Sequence, residues 1–164
     1  MKSLILIRHA KSSWDVPGAE DFDRLLSDRG KADAPEMAKR LLKRDIKIDA
    51  FISSPAKRAK KTAQLFAQGL KRKKEEIIYI PELYAAPASV FYEVINGIDP
   101  ALDTVAIFSH NPGITDFAKG LTDTKVDEMP TCSIFAIQIH TDEWVDFQNA
   151  GKEFWFFEYP KLKS

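Results

Sequence analysis

The sequence predicts an α/β fold: a three-layer α/β/α sandwich around a mostly parallel central sheet, with an antiparallel strand pair toward the C-terminus. Three observations predict it. The runs Leu4-Ile5-Leu6-Ile7, Phe51-Ile52 and Val105-Ala106-Ile107-Phe108 are continuously apolar rather than alternating, as strands buried on both faces are. Segments with helical spacing of apolar residues separate them. From about residue 131 onward strand-like runs follow one another without a helix between them. The 164 residues match one domain with a sizeable core, and no repeat, low-complexity tract or linker divides residues 1–164.

Residues 3–8 read as the first buried strand. Residues 10–27 are polar and turn-rich, punctuated by Pro17-Gly18, and make a long loop placed to wall a pocket. A helix over 28–44 puts Met37, Ala38, Leu41 and Leu42 on one face, and Pro35 within it implies a late start or a kink. Residues 49–53 read as the second strand. Ser54 then looks like an N-cap and Pro55 like the first residue of a helix whose apolar face is Ala59, Thr62, Ala63, Phe66 and Ala67. A strand near 77–80 precedes the loop Pro81-Glu82-Leu83-Tyr84, and Pro87 opens a helix containing Val90, Phe91, Val94 and Ile95. Residues 104–109 make a buried strand, and a helix from about Pro112 carries Ile114, Phe117 and Leu121. Strands at about 131–139 and 153–158 complete the chain as an antiparallel pair at one side of the sheet.

Lys plus Arg and Asp plus Glu number 24 each, so the formal net charge is zero and nothing calls for a nucleic-acid or anionic-membrane partner. The run Lys71-Arg72-Lys73-Lys74 is followed at once by Glu75-Glu76 and reads as a solvated helix end. Cys132 is the only cysteine, which leaves no internal disulfide and fits a reducing compartment. The N-terminal apolar run is too short for a signal-peptide core, and no stretch approaches the roughly twenty apolar residues of a membrane helix. The expected location is the cytoplasm.

Three of the predicted strands run into residues that can hold an anion. Residues 3–8 end in Arg8-His9, 49–53 lead into Ser54-Pro55-Ala56-Lys57-Arg58, and 104–109 lead into His110-Asn111-Pro112-Gly113. A parallel sheet presents its ligand site outside the carboxyl ends of its strands, so these three ends converge on one pocket. Guanidinium pairs bidentately with phosphate, and the start of the helix bearing Arg58 adds positive potential. Neutral imidazole is a nucleophile, its other nitrogen held by a backbone carbonyl, so a phosphoryl group can pass to His9 and then to water. His110 would donate to the phosphate, or act as a cation when protonated. The plainer readings are a structural His9, an Arg58 on a solvated basic face with Lys57, Lys60 and Lys61, and a His110 that bonds locally at a helix start. His140 reads as surface. Lys11, Arg24 and Asn111 are possible substrate contacts, with pairing to Asp21 or Asp23 the duller alternative for the two cations.

These segments resemble the histidine phosphatase superfamily, formerly the phosphoglycerate mutase-like family. Arg8-His9-Ala10 is similar to its Arg-His-Gly signature, Ser53-Ser54-Pro55 through Arg58, Ala59 and Thr62-Ala63 to its second block, and Ser109-His110-Asn111-Pro112 to its third. Arg8-His9-Ala10-Lys11-Ser12-Ser13-Trp14, Asp23-Arg24-Leu25-Leu26 and Arg29-Gly30, with the short length, resemble the small SixA-type phosphohistidine phosphatases. The resemblance implies His9 as the phosphorylated nucleophile, with Arg8, Arg58 and His110 as the phosphate pocket. Ala10 replaces the usual Gly, a change tolerated where φ is negative. Leu25 stands where the SixA-type pattern has Pro, and Asn111 where the phytase-like branch has an Asp acid. Glu82 lies near the region where mutase-like members place a glutamate and is the candidate proton donor.

The expected activity is a metal-independent phosphatase without cofactor, acting on a phosphorylated protein, foremost a phosphohistidine protein, or on a small phosphorylated metabolite. A small-molecule phosphatase or a mutase-like enzyme is the alternative, the latter weakened by the short chain. A non-catalytic phospho-binding module is the alternative of another class, which would need only the arginines. A metal site on His9 and His110 is disfavoured by two arginines beside a dication and the lack of an evident third ligand.

Overall fold

The computed structural model describes residues 1–14 and 17–162. Strands β1 (Lys2–Arg8), β2 (Ala50–Ser53), β3 (Ile78–Tyr79), β4 (Thr104–Ser109), β5 (Ile134–Ile139) and β6 (Lys152–Glu158) form one sheet, in the order β3-β2-β4-β1-β5-β6. β1, β2, β3 and β4 pair in parallel, while β5 pairs antiparallel with β1 and with β6. Helices α1 (Asp28–Lys43) and α2 (Lys57–Gly69) cover one face, and α3 (Ala88–Asn96) and α4 (Gly113–Lys119) the other. The fold class is the expected one.

Continuous apolar runs follow from this layering. In β1, Leu4 and Leu6 join Phe91, Ile95, Ile114 and Phe117 of α3 and α4. Ile5 and Ile7 point the other way, to Met37, Ala38, Ala63 and Phe66 of α1 and α2. A strand covered on both faces buries every side chain, so its period-2 signal disappears. Even Lys2 is buried, its Nζ donating to the carbonyls of Pro100 at 2.6 Å and Leu102 at 3.0 Å and pairing with Asp103. Glu158 on the edge strand β6 is buried too and pairs with Arg40 of α1 and with Arg44 at its C-terminal cap.

Several local expectations change. α1 does not start late: Ser27 caps it by accepting the Gly30 N–H at 3.2 Å, and Pro35 sits inside the helix on its exposed side, where a missing N–H is tolerated. Leu42, expected on the buried face, is 46% exposed. α2 begins at Lys57, two residues after Pro55, with Ala56 in the N-cap position; Ser54 lies before the cap, its hydroxyl accepting the Ala56 N–H and lying 2.7 Å from His110 Nε2. Arg58 is therefore the second residue of the helix rather than the fourth, as a start at Pro55 would make it. A one-turn helix, Trp144–Asp146, stands between β5 and β6 where none was expected. Arg72 is hydrogen-bonded to Glu76 and to the Ile48 carbonyl rather than left solvated.

The long loop after β1 does wall a pocket, though Asp15 and Val16 of the expected loop lie outside the described residues. It carries a one-turn helix, Asp21–Asp23, and a bridge between Ser12 and Leu26. Ser27 fastens its end to the Lys11 carbonyl through N–H at 2.9 Å and Oγ at 3.1 Å. Among the described residues no helix is long and apolar enough to cross a membrane.

Gly113 sits where α4 meets the loop after β3. A Cβ there would lie 1.7 Å from the Ala86 carbonyl oxygen. Gly113→Ala is expected to cost about 2 kcal/mol by forcing backbone apart, read as a lower urea midpoint with unchanged m-value. A midpoint equal to that of the unsubstituted chain would show that this contact relaxes freely.

Candidate active site

Strand register builds the site. Arg8 pairs with Ser109 across β1 and β4, and the His9 N–H extends the ladder to the Ser109 carbonyl at 3.1 Å. On the other side of β4, the Ser54 N–H reaches the Phe108 carbonyl at 3.0 Å. The carboxyl ends of β1, β4 and β2 thus lie side by side, beneath a pocket of about 700 Å³. Arg8, His9, Arg58 and His110 all line it, together with Lys11, Arg24 and Asn111.

His9 is buried, and its Nδ1 lies 2.7 Å from the Ala10 carbonyl oxygen. A carbonyl only accepts, so the proton is on Nδ1 and Nε2 keeps its lone pair. Burial pushes the pKa of His9 down to about 3; the Ala10 carbonyl opposes this, while Arg58, Arg8 and Arg24 add to it. The ring is neutral near pH 7, with a bare nitrogen available for attack. Ala10 itself is held by a hydrogen bond from its N–H to Thr62 Oγ1 at 3.0 Å and has no positive φ, so the Gly-to-Ala departure is accommodated.

Arg8 donates from Nη1 to the Met129 carbonyl at 2.8 Å, while its buried Nε has no partner. Arg58, also buried, donates from Nη1 to the Asp21 carbonyl at 2.5 Å and from Nη2 to Asp21 Oδ2 at 2.9 Å. The Tyr84 hydroxyl donates to the same Oδ2 at 2.7 Å, and Arg24 approaches Oδ1 at 3.3 Å. Asp21 is consequently held down at about 2, by the Tyr84 hydrogen bond first and then by Arg58 and Arg24 against a desolvation cost. Arg24 also donates to Ser12 Oγ at 2.5 Å and stacks on the exposed Trp14 ring, 3.2 Å from its centroid.

His110 lies 5.2 Å from His9, centroid to centroid, and 5.7 Å from Tyr84 in edge contact. Its Nε2 is 2.7 Å from Ser54 Oγ, and its Nδ1 is buried with no partner. Burial brings its pKa down to about 3, with His9 and Arg58 reinforcing the shift.

The structure therefore brings Arg8, His9, Arg58 and His110 together. Glu82 it does not: the side chain is exposed on the one-turn helix Pro81–Leu83 and does not line the pocket. Asn111 lines the wall, but its amide is committed to Glu128 and Met129 at 3.0 and 3.3 Å, and its Oδ1 accepts from Thr115 at 2.6 Å. Lys11 is exposed at the rim. Arg24 does pair with Asp21, as the duller reading had it, while remaining in the pocket lining. Sequence reasoning missed Tyr84, two residues beyond Glu82, and Asp21 as the partner of Arg58. Neither stands in a distinguishing pattern, since both come from loops whose course only the folded chain sets. Asp116, exposed on α4, also lines the pocket.

Residues 4–84 match the model of the histidine phosphatase superfamily, branch 1. The chain is 30% identical over 166 residues to an uncharacterised chloroplast protein of Arabidopsis thaliana, an alignment spanning 96% of this chain and 76% of that protein. Among solved structures it resembles the SixA protein of Agrobacterium tumefaciens, with a TM-score of 0.82 at 24% identity over 97% of this chain and 98% of that one. The protein histidine phosphatase SixA complexed with tungstate gives a TM-score of 0.80 at 19% identity, over 96% and 97% of the two chains. At these identities the structural likeness is one of fold.

Both pocket imidazoles bind a proton at pH 6.5 in an unperturbed setting but only near 3 in the folded chain. The unfolded chain then holds more protons between those values, so their stability contribution is complete above pH 6.5 and falls as pH drops toward 3. Asp21, lowered from 3.8 to about 2, adds a further loss at the acid end of that range. Urea midpoints measured from pH 7 to 4 are expected to fall accordingly, and His9→Asn and His110→Asn should each flatten the slope by about one proton. A slope untouched by either substitution would mean that the folded chain protonates both rings normally.

Proposed function

Since the chain belongs to the histidine phosphatase superfamily, we propose that it hydrolyses a phosphorylated substrate through a phosphohistidine formed on His9, and that its foremost substrate is a protein phosphohistidine. The observation that carries this reading is the state of His9: neutral, protonated on the nitrogen turned to Ala10, and bare at Nε2 in a pocket with Arg8 and Arg58.

In the first step the Nε2 lone pair of His9 forms a bond to phosphorus while the bond from phosphorus to the leaving atom breaks, its electron pair going to that atom. His9 becomes a phosphorylated imidazolium whose Nδ1–H the Ala10 carbonyl stabilises. Charge spreads over the three equatorial oxygens, where Arg8 and Arg58 offer fixed donors that need no reorganisation. Arg58 spends two donors on Asp21 and retains others of its five for the substrate. In the second step water attacks phosphorus, the bond to Nε2 breaks, and His9 returns to its neutral Nδ1–H form. The water proton leaves with the released phosphate.

The leaving group supports the choice of substrate. Phosphohistidine takes a proton on its other ring nitrogen from solvent and departs as neutral imidazole, so it asks for no acid inside the pocket. An alkoxide leaving group needs a proton donor with a pKa near the working pH. Asp21, at about 2, is ionised, and Glu82 is outside the pocket. The proposed enzyme is metal-independent and works in the cytoplasm.

His9→Ala is expected to abolish hydrolysis of an activated phosphate ester and of a phosphohistidine protein without loss of fold by circular dichroism. Rapid quenching of the unsubstituted protein should trap an acid-labile phosphoryl group on His9. Turnover retained in His9→Ala, or a phosphoryl group on another residue, would overturn the nucleophile. Arg58→Ala should lower kcat/KM about a hundredfold or more, as loss of a preorganised donor does; an unchanged value would remove Arg58 from the pocket chemistry. Rates compared across phosphohistidine protein, phosphoserine peptide and sugar phosphates should rank the first highest, and a preference for sugar phosphates would favour the small-molecule reading. A chelator should leave the rate unchanged.

A further inference from the structure

We propose that Ser54 is a positioning residue that fixes the tautomer of His110, so that a neutral imidazole presents an N–H, at Nδ1, to the transferring phosphoryl group. The inference rests on the phosphatase reading above and adds to it how an uncharged ring contributes to an anion site.

The Ser54 hydroxyl is fully buried, accepts the Ala56 N–H at 3.3 Å and lies 2.7 Å from His110 Nε2. Among the described residues its hydroxyl makes no other hydrogen bond. If His110 were protonated on Nε2, that N–H would donate to Ser54 and the hydroxyl proton would be buried without an acceptor. Nδ1, buried and unpartnered, would then be a second open group, an acceptor on a ring that shares its pocket with Arg8 and Arg58. With the proton on Nδ1 instead, the Ser54 hydroxyl donates to Nε2 and is satisfied. One open group remains, and it is a donor, which is what an anion requires. The tautomer of a histidine is set by the hydrogen bond that its other nitrogen makes, and Ser54 makes it here.

The surroundings agree. Burial disfavours a charge on His110, and Arg58 and Arg8 in the same pocket add to this, so the resting ring is neutral. His9 and His110 then carry the same tautomer and present opposite chemistry. His9 turns its Nδ1–H to the Ala10 carbonyl and offers a lone pair, whereas His110 turns its Nε2 to Ser54 and offers an N–H. Ser54 belongs to the segment joining β2 to α2, so the strand that brings Arg58 also sets the fourth member of the pocket.

The test reads the ring directly. Long-range proton–nitrogen correlation spectra of the resting protein should show His110 protonated at Nδ1, and inorganic phosphate should move that resonance. In Ser54→Ala the Nε2–H form should gain population, with kcat on an activated phosphate ester falling about tenfold and KM changing less. Ser54→Thr keeps the hydroxyl and should restore both the tautomer and most of kcat. A wild-type His110 protonated at Nε2 would overturn the proposal without any variant having to fold. So would Ser54→Ala with an unchanged tautomer or an undiminished kcat, or an Nδ1 resonance that inorganic phosphate leaves in place. The tautomer is read without turnover, so an Nδ1–H form in a chain that never phosphorylates His9 would sink the phosphatase reading and leave the Ser54 assignment standing.

Discussion

The backbone of His9 is held from two sides. Its N–H donates to the Ser109 carbonyl at 3.1 Å, and its own carbonyl accepts the Cys132 N–H at 3.0 Å. The first bond extends the β1–β4 ladder by one residue past the last strand pair, and the second joins His9 to the turn that leads into β5. In the proposed reaction His9 must approach phosphorus in line and gains from such fixation, because misplacement of a reacting atom by an ångström costs rate steeply. The rest of the site follows from the same ladder. Once β4 lies beside β1 in this register, His110 must emerge next to His9, and β2 on the far side of β4 must deliver Ser54 and then Arg58. The inserted position of β4, between two strands that precede it in sequence, turns three separate chain segments into one wall.

Charge is the second constraint. Arg8 and Arg58 are largely removed from water, and buried cations require partners. Asp21 supplies the partner for Arg58, with a carboxylate oxygen and a backbone carbonyl, and Met129 supplies a carbonyl for Arg8. Asp21 therefore orients the Arg58 fork while leaving part of it open, and Tyr84 in turn orients Asp21 from the opposite wall. The result is a cationic pocket in a chain of zero formal net charge, so the attraction is confined to the site instead of spread across the surface.

Elements with strong local signals were legible in the sequence, and elements set by long-range contact were not. β1 and β4 stood out because two-sided burial demands unbroken apolar runs, and the face of α2 from Ala59 to Ala67 because its spacing is helical. Ser54-Pro55 misled because the pair has good capping chemistry, but the hydroxyl finds a better partner in a residue 56 positions away. Pro35 misled in the other direction, since an exposed helix side tolerates the lost N–H and packing of Ala34, Met37 and Ala38 outweighs it. At the site, Arg8, His9, Arg58 and His110 could be grouped because a parallel sheet gathers its strand ends. Asp21 and Tyr84 come from loops, and pairing of one loop residue with another leaves no periodic trace. Glu82 shows the same limit: a carboxylate one turn from the pocket in sequence is outside it in space, because the one-turn helix Pro81–Leu83 turns the buried Leu83 inward and Glu82 outward.

The placement of carboxylates bears on what can leave. A general acid for an alkoxide must hold its proton close to the working pH, which in a carboxyl group takes burial or a neighbouring negative charge. Asp21 has the reverse environment: a phenol and two guanidinium groups stabilise its charged form, and half of its side chain meets solvent. Asp116 lines the same pocket from α4, where it is exposed. In the proposed reaction the pocket is suited to accept negative charge from the phosphoryl group and poorly suited to return a proton to the departing atom. A phosphoramidate matches that imbalance, because its leaving nitrogen is relieved by protonation on the far side of the imidazole ring, at an atom the pocket never has to reach.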